Sequence, residues 1–296
     1  MIIVNYSGGL GNTLLQYCLG RILASRMGFY LDNRPINGFL GTRELVDGHC
    51  VSLDKVEQFS SQPSRCLTMT VKGYSGYNNV VIRSDSDFNM DKAIKTKDAA
   101  IAIGPMGFFQ RYEYYKPYKK QIRQWLKTEY KDVGQTKHDA IIHLRLGDCI
   151  LGGLAEHPYV MPTEYFHKAL ESMSFDRLYI CSDPETIDHP MFHKYMESLD
   201  KYNPELVAGS AIEDFNTIKS FNKIIMSQST FSWFAAFLSS ASEIFVPVPE
   251  GGEHGHEWSI EAPGVSLFVD DEKRYKYIKQ YKDEWKLVNL QDIEER

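Results

Sequence analysis

The run Ala140-Ile141-Ile142-His143-Leu144-Arg145-Leu146-Gly147-Asp148 ends an apolar, strand-forming stretch with a histidine, an arginine and an aspartate around one glycine. Ligands of open α/β sheets bind beyond the carboxyl ends of strands. Period-two alternation puts His143 and Arg145 on the same side, so both can face one ligand. The planar fork of Arg145 suits a diphosphate, to which it can donate two parallel charge-assisted hydrogen bonds. A structural salt bridge between Arg145 and Asp148 would account for the same residue types.

Two further strand-to-helix junctions carry groups suited to an anion. Ser227-Gln228-Ser229-Thr230-Phe231-Ser232-Trp233 lies between an apolar strand and a short apolar helix. A helix N-cap needs one hydroxyl, and three beside a helix N-terminus make a stronger anion site. Gly8-Gly9-Leu10-Gly11-Asn12 follows the opening strand and precedes a long helix, where Gly9 and Gly11 let the backbone approach a ligand closely. An ordinary strand-to-helix turn would also explain them. Leu14 occupies the third-glycine position of a dinucleotide fingerprint, and no Gly-Lys-Ser/Thr follows as in a P-loop. Upstream of the hydroxyl run, Glu213-Asp214-Phe215 begins a helix; one carboxylate could accept hydrogen bonds from a guanine base, although acids at helix starts also serve the dipole. Asp85-Ser86-Asp87 has the spelling of a diphosphate-holding metal motif but sits in a polar loop, and Glu253-His254-Gly255-His256-Glu257 lacks a rigid element to fix coordination. No metal site is expected.

These residues need strands and helices in alternation. Apolar runs at Ile2–Asn5, Ala99–Ile103, Ala140–Leu144, Leu178–Cys181, Lys223–Met226 and Ile244–Val246 read as strands buried on both faces of parallel sheets. Thr13–Arg26 and Thr163–Met173 have helical spacing, as does the tail with Tyr275, Ile278, Tyr281 and Trp285. The polar stretch 131–137 places a boundary between domains 1–135 and 136–296, the second ending in a helix. With 296 residues and 43% hydrophobic composition, the chain can bury a sizeable core, and its net charge of −6 is interspersed rather than blocked. Duplex nucleic acid is a poor partner for such a surface. No signal peptide or membrane-length apolar run is evident, so the expected location is the cytoplasm. The five scattered cysteines, Cys18, Cys50, Cys66, Cys149 and Cys181, read as free thiols.

In this order, the constellations resemble the α-1,2-fucosyltransferase family, glycosyltransferase family 11, and its superfamily of α-1,6- and protein O-fucosyltransferases. Gly8 to Asn12 with Leu14-Leu15-Gln16-Tyr17 is similar to its Gly-Gly-Leu-Gly-Asn-Gln-Leu-Phe-Gln-Tyr segment, and Gly107-Phe108-Phe109-Gln110 to its Gly-Tyr-Phe-Gln. His143 to Asp148 is similar to His-x-Arg-Arg-Gly-Asp, Ser182-Asp183 to a Ser-Asp pair, and Ser229 to Trp233 to Ser-Thr-Phe-Ser-Trp. Leu146 stands where the family has a second arginine, Cys149 where Tyr is usual, and Thr13 where it has glutamine.

The resemblance implies an α/β, GT-B-like fold of two Rossmann-like domains facing across a cleft, and inverting, metal-independent transfer of L-fucose from GDP-fucose to a sugar hydroxyl. Arg145 would grip the β-phosphate, His143 and Asp214 the guanine, and Ser229, Thr230 and Phe231 the pyrophosphate and base pocket. Gly9, Gly11 and Asn12 would close over the donor from the first domain. Asp148 comes first as general base, with His157 or Glu156 next. The alternatives are a transferase for another nucleotide sugar and a non-catalytic sugar- or nucleotide-binding protein on the same scaffold.

Overall fold

The structure, a computed structural model, describes residues 2–4, 8–27, 30–32, 57–58, 80–83, 89–95, 100–103, 108–126, 133–151, 160–250, 267–282, 284–289 and 293. Contacts divide the chain into two compact units, Met1–Thr128 with Pro263–Ser266, and Glu129–Ala262 with Leu267–Arg296. No helix among the described residues is long and apolar enough to cross a membrane.

The first unit runs β1 (Ile2–Val4), α1 (Leu10–Met27), β2 (Tyr30–Asp32), β3 (Glu57–Gln58), β4 (Val80–Arg83), α2 (Met90–Lys95), β5 (Ala100–Ile103), α3 (Tyr112–Tyr115) and α4 (Lys119–Trp125). Its described strands form a sheet in the order β3-β2-β1-β5-β4, parallel except for β3. Helix α1 is buried from Leu10 through Ala24 on almost every side, which its Leu, Ile, Tyr and Ala content permits.

The second unit runs β6 (Ala140–Leu144), α5 (Gly147–Leu151), α6 (Thr163–Glu171), β7 (Leu178–Ser182), α7 (Pro190–Leu199), β8 (Glu205–Val207), α8 (Ala211–Ser220), β9 (Lys223–Ile225), α9 (Thr230–Leu238), β10 (Glu243–Val248), β11 (Tyr275–Tyr281) and β12 (Glu284–Val288). The sheet order is β12-β11-β10-β9-β6-β7-β8, with only β12 antiparallel. Counted from β6, its parallel strands follow the doubly wound order 3-2-1-4-5-6, so chain direction across the sheet reverses between β6 and β9. Strand alternation sorts the two faces. Ala140, Ile142, Leu144 and Leu146 pack with Tyr165, Phe166, Ala169 and Leu170 of α6 and Phe192 and Tyr195 of α7. The opposite face, carrying His143, is covered by α8 and α9, whose Phe215 and Phe231 rings meet edge on at 5.7 Å.

The tail corrects the sequence expectation. Tyr275 to Val288 forms a β-hairpin, β11 paired with β12 from Tyr277↔Val288 to Tyr281↔Glu284, and not an amphipathic helix. The spacing of Tyr275, Ile278, Tyr281 and Trp285 mimics a helix, but β10 offers an open edge that β11 fills in parallel register from Ile244↔Tyr275 to Val248↔Lys279. Two residues lie between the last paired positions, and Lys282 takes the left-handed φ of 54° that so tight a connection favours. Helix α1 also starts earlier than the spacing of its apolar residues indicates, which puts Gly11 and Asn12 inside its first turn.

At the amino end of β6, Asp139 is buried and accepts the N–H of Thr136 at 2.7 Å, the N–H of Arg177 at 3.2 Å and the Arg177 guanidinium at 2.7 Å. Burial pushes the carboxyl pKa up, but the Thr136 and Arg177 hydrogen bonds outweigh it and hold it below its ordinary value. A lowered folded pKa contributes stability that is complete above the unfolded value and is lost as pH falls through the folded one. Asp139→Ala is therefore expected to cost about 2 kcal/mol at pH 7 in urea unfolding, from N–H groups left unsatisfied. The deficit should shrink on acidification below about pH 4; one that stays constant with pH would contradict this role.

Candidate functional site

Beyond Ile142 and Ile225 the ladder between β6 and β9 ends, and a side chain takes over. The Ser227 hydroxyl donates to the His143 carbonyl and accepts the Arg145 N–H at 3.2 Å, tying the strand ends together at the reversal point. The Arg145 guanidinium donates through Nη1 to the Gln228 carbonyl at 2.8 Å. Two residues later α9 begins, with Ser229 as its N-cap and the Ser229 hydroxyl accepting the Phe231 N–H at 3.3 Å. Ser232 turns inward instead, donating to the Ser227 and Ser229 carbonyls at 3.3 and 3.2 Å. A partly exposed guanidinium thus sits beside a helix N-terminus, two sources of positive potential at one place.

His143 is 8% exposed, its ring 5.3 Å from that of Phe231, so the imidazole is held against the first turn of α9. Asp214, 6% exposed, is near the start of α8. Its neighbour Glu213 is occupied in a capping box: Glu213 Oε2 accepts the Ser210 N–H at 2.8 Å, and the Ser210 hydroxyl accepts the Glu213 N–H at 3.3 Å. Asp214 Oδ1 accepts the Gly209 N–H at 2.9 Å. Burial pushes the Asp214 pKa up to about 6; the Gly209 N–H and the Cys181 thiol oppose the rise, and the charges of Asp183 and Glu213 reinforce it.

Asp148 falls within α5, although its side chain is not among those described, and Glu156 and His157 lie outside the described residues. So do Asp85-Ser86-Asp87, Glu253 to Glu257, Cys50 and Cys66, while Cys18, Cys149 and Cys181 are buried free thiols. Among the described residues no group of His, Cys, Asp and Glu is placed to hold a metal. Leu146 is fully buried with the α6 and α7 side chains, on the face opposite His143. Ser182 donates to the Leu144 carbonyl at 3.0 Å, and Asp183 caps the short 3₁₀ turn at Pro184–Thr186. A side chain at Gly147 would meet the Asp183 carboxylate at 2.6 Å, which accounts for glycine there.

The first unit has its own reversal point, between β1 and β5. Asn12 Oδ1 accepts the Gln110 amide at 3.0 Å, joining the first turn of α1 to the segment that follows β5. The constrained glycine is Gly8, with φ of 79° and room for no Cβ, which would lie 2.7 Å from Asn12 Nδ2; Gly9 meets nothing within 4 Å. Phe109 is fully buried at a left-handed φ of 55°, and the Tyr115 hydroxyl donates to its carbonyl at 2.7 Å. A bulky residue held there costs about 1–3 kcal/mol and persists where its surroundings determine it. Sequence reading assigns no separate structural role to Gly8, Phe109 or Arg274. Of these, Gly8 and Phe109 lie inside recognised motif segments.

Arg274 fixes the far end of α9. Its Nη1 donates to the Ser239 and Ala241 carbonyls at 3.0 and 3.1 Å, its Nη2 to the Ala236 carbonyl at 3.3 Å, and its Nε to Glu272 at 2.6 Å. A cation at a helix C-terminus satisfies orphan carbonyls and complements the dipole.

Comparison with known proteins follows the same residues. Residues 107–251, just under half of the chain, match the family Glycosyl transferase family 11. The matched stretch contains His143, Arg145, Asp214 and Ser229 to Phe231. Among solved structures, an arginine-to-lysine mutant of Arabidopsis thaliana FUT1 in complex with GDP is similar with a TM-score of 0.44 and 13% identity, over 82% of this chain and 70% of that one. Among curated proteins none matches. The chain is a glycosyltransferase. The portion that matches glycosyl transferase family 11 holds the second unit's site.

Arg274→Ala is expected to lower stability by about 3 kcal/mol in denaturant unfolding, through loss of the guanidinium hydrogen bonds to the Ala236, Ser239 and Ala241 carbonyls. A loss below about 0.5 kcal/mol, the size of an ordinary surface change, would show that α9 is held otherwise.

Proposed function

We propose that the chain transfers L-fucose from GDP-fucose to a hydroxyl of a carbohydrate acceptor, forming an α-1,2 linkage with inversion and without a metal ion, in the cytoplasm. The observation that carries this reading is Arg145, held on the Gln228 carbonyl beside the α9 N-terminus at the sheet's reversal point. In an α/β sheet this is where a nucleotide's phosphates bind. The fucosyl donor rests on the ordered motif segments. The arginine that the family's second position would supply is replaced here on the α6 face, away from His143, so the ligand-facing side keeps its cation.

In the proposed reaction the acceptor hydroxyl attacks the anomeric carbon from the side opposite the diphosphate. The bond from that carbon to the β-phosphate oxygen breaks, and its electron pair leaves with GDP. Arg145 and the N–H of Thr230 at the start of α9 meet the charge that develops there. The acceptor proton passes to a base, with Asp148 first and His157 or Glu156 next. His143 and Phe231 would flank the base and Asp214 would accept its N–H groups. In a GT-B-like arrangement the first domain, expected at 1–135, would supply Gly9, Gly11 and Asn12 toward the donor and most of the acceptor surface.

Thermal-shift titration separates the readings, because a ligand of the native state raises Tm by mass action. GDP should stabilise the protein at concentrations where UDP and dTDP do not, and a preference for UDP or dTDP would assign another nucleotide sugar. Arg145→Ala should lower turnover by about 100-fold or more while the free protein stays folded, with a cooperative thermal transition. Retained turnover in that variant would sink the phosphate role. GDP binding without sugar transfer or donor hydrolysis would point to a binding protein.

A further inference from the structure

Gln228 stands between Ser227, whose hydroxyl bridges the ends of two strands, and Ser229, which caps α9. Its backbone carbonyl holds the Arg145 guanidinium at 2.8 Å. The side chain is 1% exposed with the rest of the residue, and both amide atoms, Oε1 and Nε2, are sealed from solvent with no hydrogen-bond partner among the described residues. A half-turn of the amide exchanges the two atoms and leaves both still unmet. Buried polar atoms without partners cost free energy, and native chains keep few of them. Here one side chain carries two, immediately before the cap of a nine-residue helix and on the same residue that holds the cation.

The chemistry of the amide narrows what can meet it. It offers an acceptor oxygen and two N–H donors. A diphosphate only accepts, and would leave Oε1 bare. A sugar hydroxyl both donates and accepts, so adjacent hydroxyls on one ring satisfy both atoms. We infer that Gln228 is a specificity-determining residue that hydrogen-bonds hydroxyls of the transferred sugar, and so distinguishes the sugar nucleotide from the bare nucleoside diphosphate. This rests on the reading above that the diphosphate binds against Arg145 and the Thr230 N–H. The sugar is joined to the β-phosphate, so a phosphate held there brings the ring to the neighbourhood of Gln228, two residues before Thr230. Because the amide is sealed, the sugar reaches it only after a local opening; Arg145 exchanging the Gln228 carbonyl for a phosphate oxygen supplies that opening. The unmet amide is thus a cost to the unliganded protein that the donor relieves.

The test is calorimetric titration of GDP and GDP-fucose into the full chain, with the Tm of the unliganded protein, for wild type, Gln228→Met, Gln228→Leu and Arg145→Ala. Methionine keeps the unbranched shape and removes both polar atoms, and leucine is a second apolar replacement. Each should raise the Tm of the unliganded protein by about 2 °C or more, because no buried amide is left unmet. Each should bind GDP within about twofold of wild type and GDP-fucose about tenfold more weakly, the size of two neutral hydrogen bonds. Wild-type affinity for GDP-fucose in either variant would overturn the inference, as would equal losses of GDP and GDP-fucose, which place the effect on Arg145 and α9. A lowered Tm or unfolding in both would show that the amide serves the fold through buried water, and would overturn it as well. If wild type binds neither ligand, or Arg145→Ala binds GDP as wild type does, the phosphate reading falls and the inference with it. GDP binding that depends on Arg145, beside undiminished GDP-fucose binding in the Gln228 variants, removes the inference alone.

Discussion

A single short helix, α9, sets the geometry of the second unit. Its amino end opens at the gap where β6 and β9 part, and its carboxyl end is gripped by the Arg274 guanidinium. One arginine thus neutralises the carbonyl end, while a second, Arg145, stands beside the N–H end without cancelling its potential. The position is exacting because the strand ladder has ended there and the Ser227 hydroxyl bridges His143 and Arg145. Inside the helix, Trp233 stacks on Phe237 at 5.2 Å and donates its indole N–H to the Leu267 carbonyl, which locks the buried side of α9 in place.

The first unit solves a related problem by different means. Its opening helix is almost wholly buried and carries no acid in its first turn, so its amino end is organised by neighbours. Gly8 makes the turn, Thr13 bonds back to Gly9 and Leu10, and the Gln110 amide holds Asn12 from the segment after β5. The strained Phe109 lies in that same segment. In the first unit the left-handed residues Gly8 and Phe109 thus gather beyond the carboxyl ends of β1 and β5, where chemistry on such sheets is done.

Much of this was legible from residues alone, where local pattern and tertiary environment agree. The runs at Ala140–Leu144 and Leu178–Cys181 are strands because their apolar residues are buried on both faces, and the hydroxyl run starts a helix because Ser229 caps it. The tail was misread because its aromatic spacing satisfies a helix as readily as a strand, and the open edge of β10 decides between them. At the site, Asp214 and Glu213 looked equivalent; only the capping box shows that Glu213 is committed to the backbone. Arg274 left no local signal of its role at α9, since the carbonyls it meets there lie more than 30 residues away.

The central claim is that a diphosphate binds at the amino end of α9 against Arg145. A crystal structure of the chain with GDP tests it most directly. The account places the β-phosphate within about 3 Å of the Arg145 guanidinium and the Thr230 N–H, with the base between His143 and Asp214. A diphosphate found at the start of α1 or α8, with Arg145 still turned to Gln228 and no contact to it, would contradict the account.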